Sequence, residues 1–182
     1  AGSGTWTLDN VLFDYSSSTA RVISGSLTGG VTDILAGAAT FGASTVELLS
    51  DVTAGGAWTL GGDMVLDGNG KKLNLGSNNF VNGGNAASIS NAYLTGLTST
   101  SLQGTGDWTL VNTVLADANE EIRITDGSLT STSIDVFGGT ATWGATTMEL
   151  LSDVALGGVW TMGGDLFMNG NGRKFSFGAS KN

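Results

Sequence analysis

Apolar and polar residues alternate along short stretches of this chain, and turn-forming residues separate these stretches. The runs Trp58-Thr59-Leu60, Leu73-Asn74-Leu75 and Phe175-Ser176-Phe177 show the alternation. Successive side chains of a β-strand point to opposite faces, so this pattern predicts short strands. Gly-Gly, Asp-Gly-Asn-Gly and Asn-Gly-Gly lie between the runs and predict turns. No segment has a long apolar period of 3.6, so we predict an all-β protein.

One phrase, Gly-x-Trp-Thr-Leu or Gly-x-Trp-Thr-Met, occurs four times, around Trp6, Trp58, Trp108 and Trp160. The tryptophans are about 51 residues apart, a spacing typical of repeat architectures. A shift of about 102 residues also aligns the two halves without a gap. We therefore predict two repeats, 1–103 and a truncated 104–182, each made of two sub-repeats of about 51 residues.

This repetition favours a parallel β-helix, or β-solenoid, over a sandwich or a barrel. Successive coils of a solenoid occupy like environments, whereas the strands of a sandwich occupy unlike ones. We predict one continuous solenoid over residues 1–182, without an internal domain boundary. About eight coils at ~4.8 Å each would make a body about 40 Å long.

Three asparagines each stand two residues after an apolar residue that we expect to face inward, so their side chains should lie on the same face of the strand. They are Asn10, Asn91 and Asn112. Two interpretations are open: these amides point inward at a bend and bond to the next coil, or they are exposed turn residues.

The segment 65–75, Val-Leu-Asp-Gly-Asn-Gly-Lys-Lys-Leu-Asn-Leu, resembles a phrase of bacterial right-handed parallel β-helix proteins of the pectin-lyase-like superfamily. These include repeat surface and filament proteins. The second copy, 167–177, has Asn169 in place of Asp67. The resemblance covers about a dozen residues in each half and implies the parallel β-helix fold.

Composition and charge exclude several classes of function. The chain has a net charge of -9 and contains no Cys, Pro or His. The acidic balance argues against nucleic acid and anionic membrane surfaces as partners. No apolar run is long enough to span a membrane. The absence of His removes the commonest general base and metal ligand.

The acidic residues do not predict a catalytic or metal site. Pairs such as Glu47 and Glu149, or Asp63 and Asp165, are duplicated with the repeat, whereas a catalytic site is normally a singular constellation. Asp67-Gly68-Asn69-Gly70 could be a calcium loop, but it lacks the ligand pattern of an EF-hand and is better explained as a turn. We predict no enzyme activity, no metal and no cofactor.

The tryptophans could stack sugar rings, but their apolar neighbours favour a place in the coil interior or in a contact between molecules. Neither end of the chain shows a recognisable cap. Uncapped solenoids can join head to tail, and such contacts generate filaments. Six residues are candidates for coil register and assembly: Trp6, Trp58, Trp108, Trp160, Phe175 and Phe177.

We therefore expect a secreted structural subunit that assembles head to tail with itself into an extracellular β-solenoid filament. The alternative is a fragment of a cell-surface adhesin that binds polysaccharide or a host surface. In that case binding would depend on side chains that differ between repeats, such as Tyr15, Asn85 or Tyr93.

Overall fold

The computed structural model describes residues 2–15, 18–30, 34–98, 101–130 and 137–178, and none of these residues is helical. Their strands stack in parallel as a β-solenoid of about six turns. The strands are short because the alternating runs end at Gly- and Asn-containing corners. The all-β class and the parallel coil predicted from the alternation and repetition are confirmed.

The strands of the described residues fall into long strands of ten or eleven residues and short strands of two to four. In chain order they are β1 (Thr5–Tyr15), β2 (Ser18–Thr28), β3 (Ala39–Leu48), β4 (Val52–Thr53), β5 (Trp58–Leu60), β6 (Met64–Asp67), β7 (Lys72–Asn74), β8 (Phe80–Val81), β9 (Ala87–Ser90), β10 (Tyr93–Thr95), β11 (Leu102–Gln103), β12 (Asp107–Asp117), β13 (Glu120–Thr130), β14 (Ala141–Leu150), β15 (Val154–Leu156), β16 (Trp160–Met162), β17 (Leu166–Asn169) and β18 (Phe175–Phe177).

Each coil has three sides, and each side is a stack of parallel strands. The first stack runs from β3 through β5 and β8 to β11. The second runs from β3 through β6 and β9 to β12. The third runs from β4 through β7 and β10 to β12. After the next long strands, β14 pairs with β16 and β17, and β15 pairs with β18.

Two antiparallel meanders interrupt the winding. Strands β1, β2 and β3 form the first, and β12, β13 and β14 form the second. A meander runs back and forth instead of advancing round the coil. This explains why the chain makes about six turns and not the eight expected from its length.

Two pairs of long strands begin 102 residues apart. Strands β1 and β12 begin at Thr5 and Asp107, and β3 and β14 begin at Ala39 and Ala141. The spacing of about 51 residues does not place the tryptophans alike. Trp6 and Trp108 lie in long meander strands, whereas Trp58 and Trp160 lie in three-residue strands of a different stack. The phrase specifies only local alternation, and the flanking residues decide what its strand pairs with.

Inward-facing side chains fill the coil. Leu66, Leu73, Ile89 and Leu94 are fully buried, and each such side chain contributes about 1.5–3 kcal/mol through its removal from water. An aromatic row also runs from coil to coil. The ring centroids of Phe41, Trp58, Phe80 and Trp108 are successively 5.1, 5.8 and 5.2 Å apart.

The Asp-Gly-Asn-Gly phrase forms the corner between β6 and β7. The Asn69 amide donates to Asp67 Oδ1 at 3.0 Å, and Asn69 and Gly70 have φ values of 50° and 72°. The second copy makes the same turn, since the Asn171 amide donates to Asn169 Oδ1 at 3.2 Å. A side-chain oxygen is sufficient for this turn, so the change from Asp to Asn preserves it.

Gly68 lies where the next coil crosses this corner. A Cβ atom at Gly68 would be 2.5 Å from the Cα atom of Ala92, whereas a Cβ at the matching Gly170 would have only one neighbour, 3.9 Å away. We expect Gly68→Ala to lower the free energy of unfolding by about 1–3 kcal/mol, because the next coil must shift. Gly170→Ala should change the stability of the monomer by less than about 0.5 kcal/mol.

Urea unfolding of both variants under dilute, monomeric conditions tests this expectation. Equal losses of stability in the two variants would contradict the assigned stacking of β9 and β10 on the Gly68 corner.

Candidate functional site

The acidic residues do not converge on a catalytic or metal-binding cluster. Among the described ranges, no group of three or more His, Cys, Asp or Glu side chains is placed to hold a metal ion. Asp67, the strongest ligand of the possible calcium loop, instead accepts the backbone amide of Asn69. The features that stand out are the two strand edges at opposite ends of the described body.

The first edge belongs to β1. Within the described residues, β1 pairs only with β2, whereas the matching strand β12 pairs with β13 on one edge and with β9 and β10 on the other. Trp6, Leu12 and Tyr15 on β1 are each more than half exposed. A long strand with an unpaired edge and exposed large apolar residues is a template for strand addition.

The second edge belongs to the coil of β16, β17 and β18. Among the described strands, β16 and β17 pair only with β14, and β18 pairs only with β15. Phe167 is 67% exposed and Phe177 is 64% exposed, and Met162 is also exposed. Trp160, Leu166 and Phe175 are partly buried against the core. This coil therefore leaves apolar surface and backbone groups open on one side.

The structure separates the six predicted assembly residues into three groups. Trp58 and Trp108 are buried in the first aromatic row. The rings of Trp160, Phe175 and Phe177 form a second row at the open last coil, with successive centroid distances of 5.5 and 4.9 Å. Trp6 lies exposed on the open edge of β1.

One aromatic residue of the second row was missed in the sequence. Trp143 is buried and contacts Trp160 with a centroid distance of 5.2 Å. It lies outside the recurring Trp phrase, but the 102-residue shift aligns it with the inward-facing Phe41. That alignment was the signal that could have identified it.

The corner between the second and third sides carries a ladder of side-chain amides. Asn112 Nδ2 donates to Asn91 Oδ1 at 3.0 Å, and Asn91 Nδ2 donates to Asp67 Oδ1 at 3.2 Å. Asn10, Asn91 and Asn112 all have left-handed φ values, between 46° and 52°, and all are exposed. The expectation of a bond between coils is thus correct for Asn112 and Asn91, but these amides lie on the outside of the corner.

The buried amide is a different residue, Asn82. Its Nδ2 donates to the carbonyl oxygen of Gly106 at 2.8 Å, and its Oδ1 accepts the Gly106 amide at 3.1 Å. These bonds satisfy a polar group that would otherwise be costly to bury. Asn85, named above as a candidate surface-binding residue, donates to the carbonyl oxygens of Leu60 and Asn82 and so stabilises a turn.

Glu47 joins the first meander to the corner ladder. Its carboxylate accepts a bond from Asn69 Nδ2 at 2.8 Å and pairs with Arg21, whose Nε lies 2.7 Å away. The hydrogen bond from Asn69, and then the bond from Arg21, hold the pKa of Glu47 below its ordinary value of 4.5. Both bonds favour the charged carboxylate.

A shallow cleft of about 610 Å³ lies beside the third side, under the end of β12. Tyr93, Glu121, Lys72 and Asp117 are among its lining residues. The Tyr93 hydroxyl donates to Glu121, and Lys72 Nζ lies 5.9 Å from the Tyr93 ring centroid. Burial, together with the bond to Glu121 and its charge, raises the pKa of Tyr93 to about 12.

Comparison with protein-family models, curated protein sequences and solved structures finds no significant match to this chain. The described residues contain no helix that is long and apolar enough to cross a membrane. The parallel coil of the described residues defines the class of the protein, a parallel β-solenoid repeat protein.

The exposure of Trp6 predicts a specific fluorescence response. Of the five tryptophans, Trp6 is the most exposed, so it should account for most of the emission that acrylamide quenches in dilute protein. We expect Trp6→Phe to remove most of this quenchable emission and shift the remaining spectrum to the blue. Trp58→Phe, which replaces a buried indole, should leave the quenchable part in place. Equal quenching in the two variants would contradict the exposed placement of Trp6.

The lowered pKa of Glu47 predicts acid sensitivity. The folded state favours the charged carboxylate, so its contribution to stability is present above the ordinary pKa of 4.5 and is lost as pH falls through the lower folded-state pKa. Glu47→Gln should therefore be less stable than the wild type at neutral pH, and the difference should shrink in acid. Urea unfolding over a pH series measures this; a difference that is constant with pH would contradict it.

Proposed function

We propose that this protein is a non-enzymatic structural subunit that assembles head to tail with itself into an extracellular β-solenoid filament. The observation that carries the proposal is that the described body has an open strand edge at each end, on β1 and on the coil of β16 to β18. The two edges are different surfaces, so their contact is heterologous and can repeat without closing.

A junction inside the chain supports this assembly. On the edge of β12 that faces β9 and β10, the Val111 carbonyl oxygen accepts a hydrogen bond from the Asn91 amide at 3.0 Å. On the same edge, the Val114 amide donates to the Ala92 carbonyl oxygen at 2.9 Å. Strand β1 has the same length of eleven residues as β12 and begins with a related sequence. A β1 strand can therefore cap a parallel coil, and the second copy supplies that coil.

Backbone pairing and burial of apolar surface would drive the association. Strand addition supplies main-chain hydrogen bonds, and the exposed Trp6, Phe167 and Phe177 supply apolar contact area. The net charge of -9 opposes unspecific side-to-side clumping. The parallel coil and the Asp-Gly-Asn-Gly corner support a relationship to bacterial pectin-lyase-like surface and filament proteins. A secreted location is a further part of the proposal.

One observation favours a second candidate function, adhesion through polysaccharide binding. The cleft beside Tyr93 combines an aromatic ring with carboxylate, ammonium and amide groups, a mixture that suits sugar hydroxyls. Polysaccharide titrations of wild type and Tyr93→Ala would show saturable binding that the variant loses. Tyr15→Ala, on the exposed end of β1 and outside the cleft, should keep this binding if the cleft is the site, and its loss in that variant would place the sugar on β1 instead.

A proline on the open edge tests assembly directly. The 102-residue shift matches Leu12 with Val114, whose amide donates to the neighbouring coil. The amide of Leu12 therefore points to the open edge of β1, and Pro removes that donor. We expect Leu12→Pro to raise the critical concentration for filament formation by about tenfold or more, or ~1.4 kcal/mol. Leu12→Thr keeps the amide and should assemble more readily than the Pro variant.

Light scattering against concentration and negative-stain electron microscopy give the readout, and urea unfolding of the dilute variants checks that both remain folded. A wild-type chain that stays monomeric at millimolar concentration would overturn the filament proposal. Assembly of Leu12→Pro at the wild-type concentration would show that β1 is not the joining edge.

A further inference from the structure

We propose that the joining surfaces meet in one defined register. Strand β1 of one copy lies parallel to β17 and β18 of the next, with Trp6 opposite Leu166, Asp9 opposite Asn169 and Phe13 opposite Phe175. This inference rests on the proposed function and adds to it the atomic register of the partner, which is a second copy of this chain.

The register on the second side follows from the chain's own stacking. Met64 lies opposite Ala87, and Ala87 lies opposite Trp108. The 102-residue shift matches Met64 with Leu166, and Trp108 with Trp6. The pairings of β14 with β17 and of β3 with β6 agree with this shift, because Thr146 faces Leu166 as Ser44 faces Met64.

The register on the third side follows in the same way. Leu73 lies opposite Leu94, and Leu94 lies opposite Leu115. All three are fully buried. Their counterparts at the junction are Phe175 and Phe13, which are only partly buried in the single chain. Contact between copies would complete the burial of both rings.

The corner of β1 has the shape that the last coil requires. Inside the chain, the corner after β6 has four residues between paired strands, and the next corner has the two residues Asn91 and Ala92. The corner of β1 also has two residues, Asn10 and Val11, and Asn10 has a φ of 51° against 52° for Asn91. Gly68, buried under the two-residue corner, donates its amide to the Ser90 carbonyl oxygen at 2.8 Å. The matching Gly170 is only partly buried and would donate to the carbonyl oxygen of Asp9 in the next copy.

A carboxylate at the open end also fits this register. Asp63 Oδ1 accepts the amide of Ala86 from the next coil at 2.9 Å. The matching Asp165 is exposed, and its carboxylate accepts no hydrogen bond from the described residues. In the proposed register the amide of Thr5 from the next copy takes the place of the Ala86 amide.

The outward-facing pairs of the register allow a cross-linking test. Thr7 would lie opposite Phe167, and both are exposed in the single chain. Cα atoms directly opposite on neighbouring strands are ~4.8 Å apart, within disulfide range. A partner two residues further along lies about 8 Å away, beyond the roughly 7 Å limit. The chain has no cysteine of its own, so disulfides form only between the engineered positions, and the matched variant measures the background of chance pairings.

The experiment assembles Thr7→Cys/Phe167→Cys protein under reducing conditions, confirms filaments by microscopy and then oxidises it. The matched variant is Asp9→Cys/Phe167→Cys, whose cysteines are two residues out of register. We expect a ladder of covalent multimers on a non-reducing gel for the first variant, at least tenfold more abundant than for the second. Filaments without this ladder, or with a stronger ladder from the second variant, would overturn the register and leave the filament proposal standing.

Two substitutions without cysteine give a second test. Gly170→Ala and Asp165→Ala should leave the unfolding of the dilute monomer unchanged and raise the critical concentration severalfold, because both substitutions keep the backbone bonds within the chain, and the added Cβ atom and the lost carboxylate face the next copy. Gly68→Ala and Asp63→Ala, the same changes inside the chain, should lower monomer stability instead. If Gly170→Ala and Asp165→Ala filaments form at the wild-type concentration, the proposed register is wrong. If the wild type forms no filaments at all, the proposed function fails with it.

Discussion

Parallel backbone pairing between successive coils is the constraint on which the rest of this structure depends. A middle coil, such as that of β5, β6 and β7, has a neighbour on both sides, and its amides and carbonyl groups are paired there. A stack of this kind always leaves two terminal edges. Unpaired strand edges promote association, so the same pairing that builds the coil also creates the surfaces at which copies of it could join.

The meanders change the direction of pairing without breaking the stack. Strand β12 is parallel to β9 and β10 on one edge and antiparallel to β13 on the other. It covers two sides of the coil because it bends at Asn112, whose left-handed φ of 46° is tolerated by an asparagine. The meander therefore adds strands to the sides of the coil but adds few turns. Strand β1 has an asparagine at the matching position, Asn10, with a φ of 51°.

Much of the fold could be predicted from particular residues, and the assembly surfaces only in part. Alternation in Leu73-Asn74-Leu75 predicts a strand with Leu73 and Leu75 inward, and both are buried. The same local phrase surrounds Trp6 and Trp58, yet Trp6 is exposed and Trp58 is buried. The difference arises from a second neighbouring strand: β5, which carries Trp58, has one on each edge, whereas the described residues place only β2 beside β1. A pattern within five residues carries no information on that neighbour.

The residues alone establish an all-β chain with corners at Gly and Asn, because strand parity and turn chemistry are local properties. They also establish the 102-residue correspondence that matches Gly68 with Gly170 and Asp63 with Asp165. Only the packed coil shows that Gly68 lies beneath Ala92, whereas a Cβ atom at Gly170 would meet a single described atom, 3.9 Å away. The contact between coils joins residues more than twenty positions apart, and its presence depends on whether a further coil is stacked there.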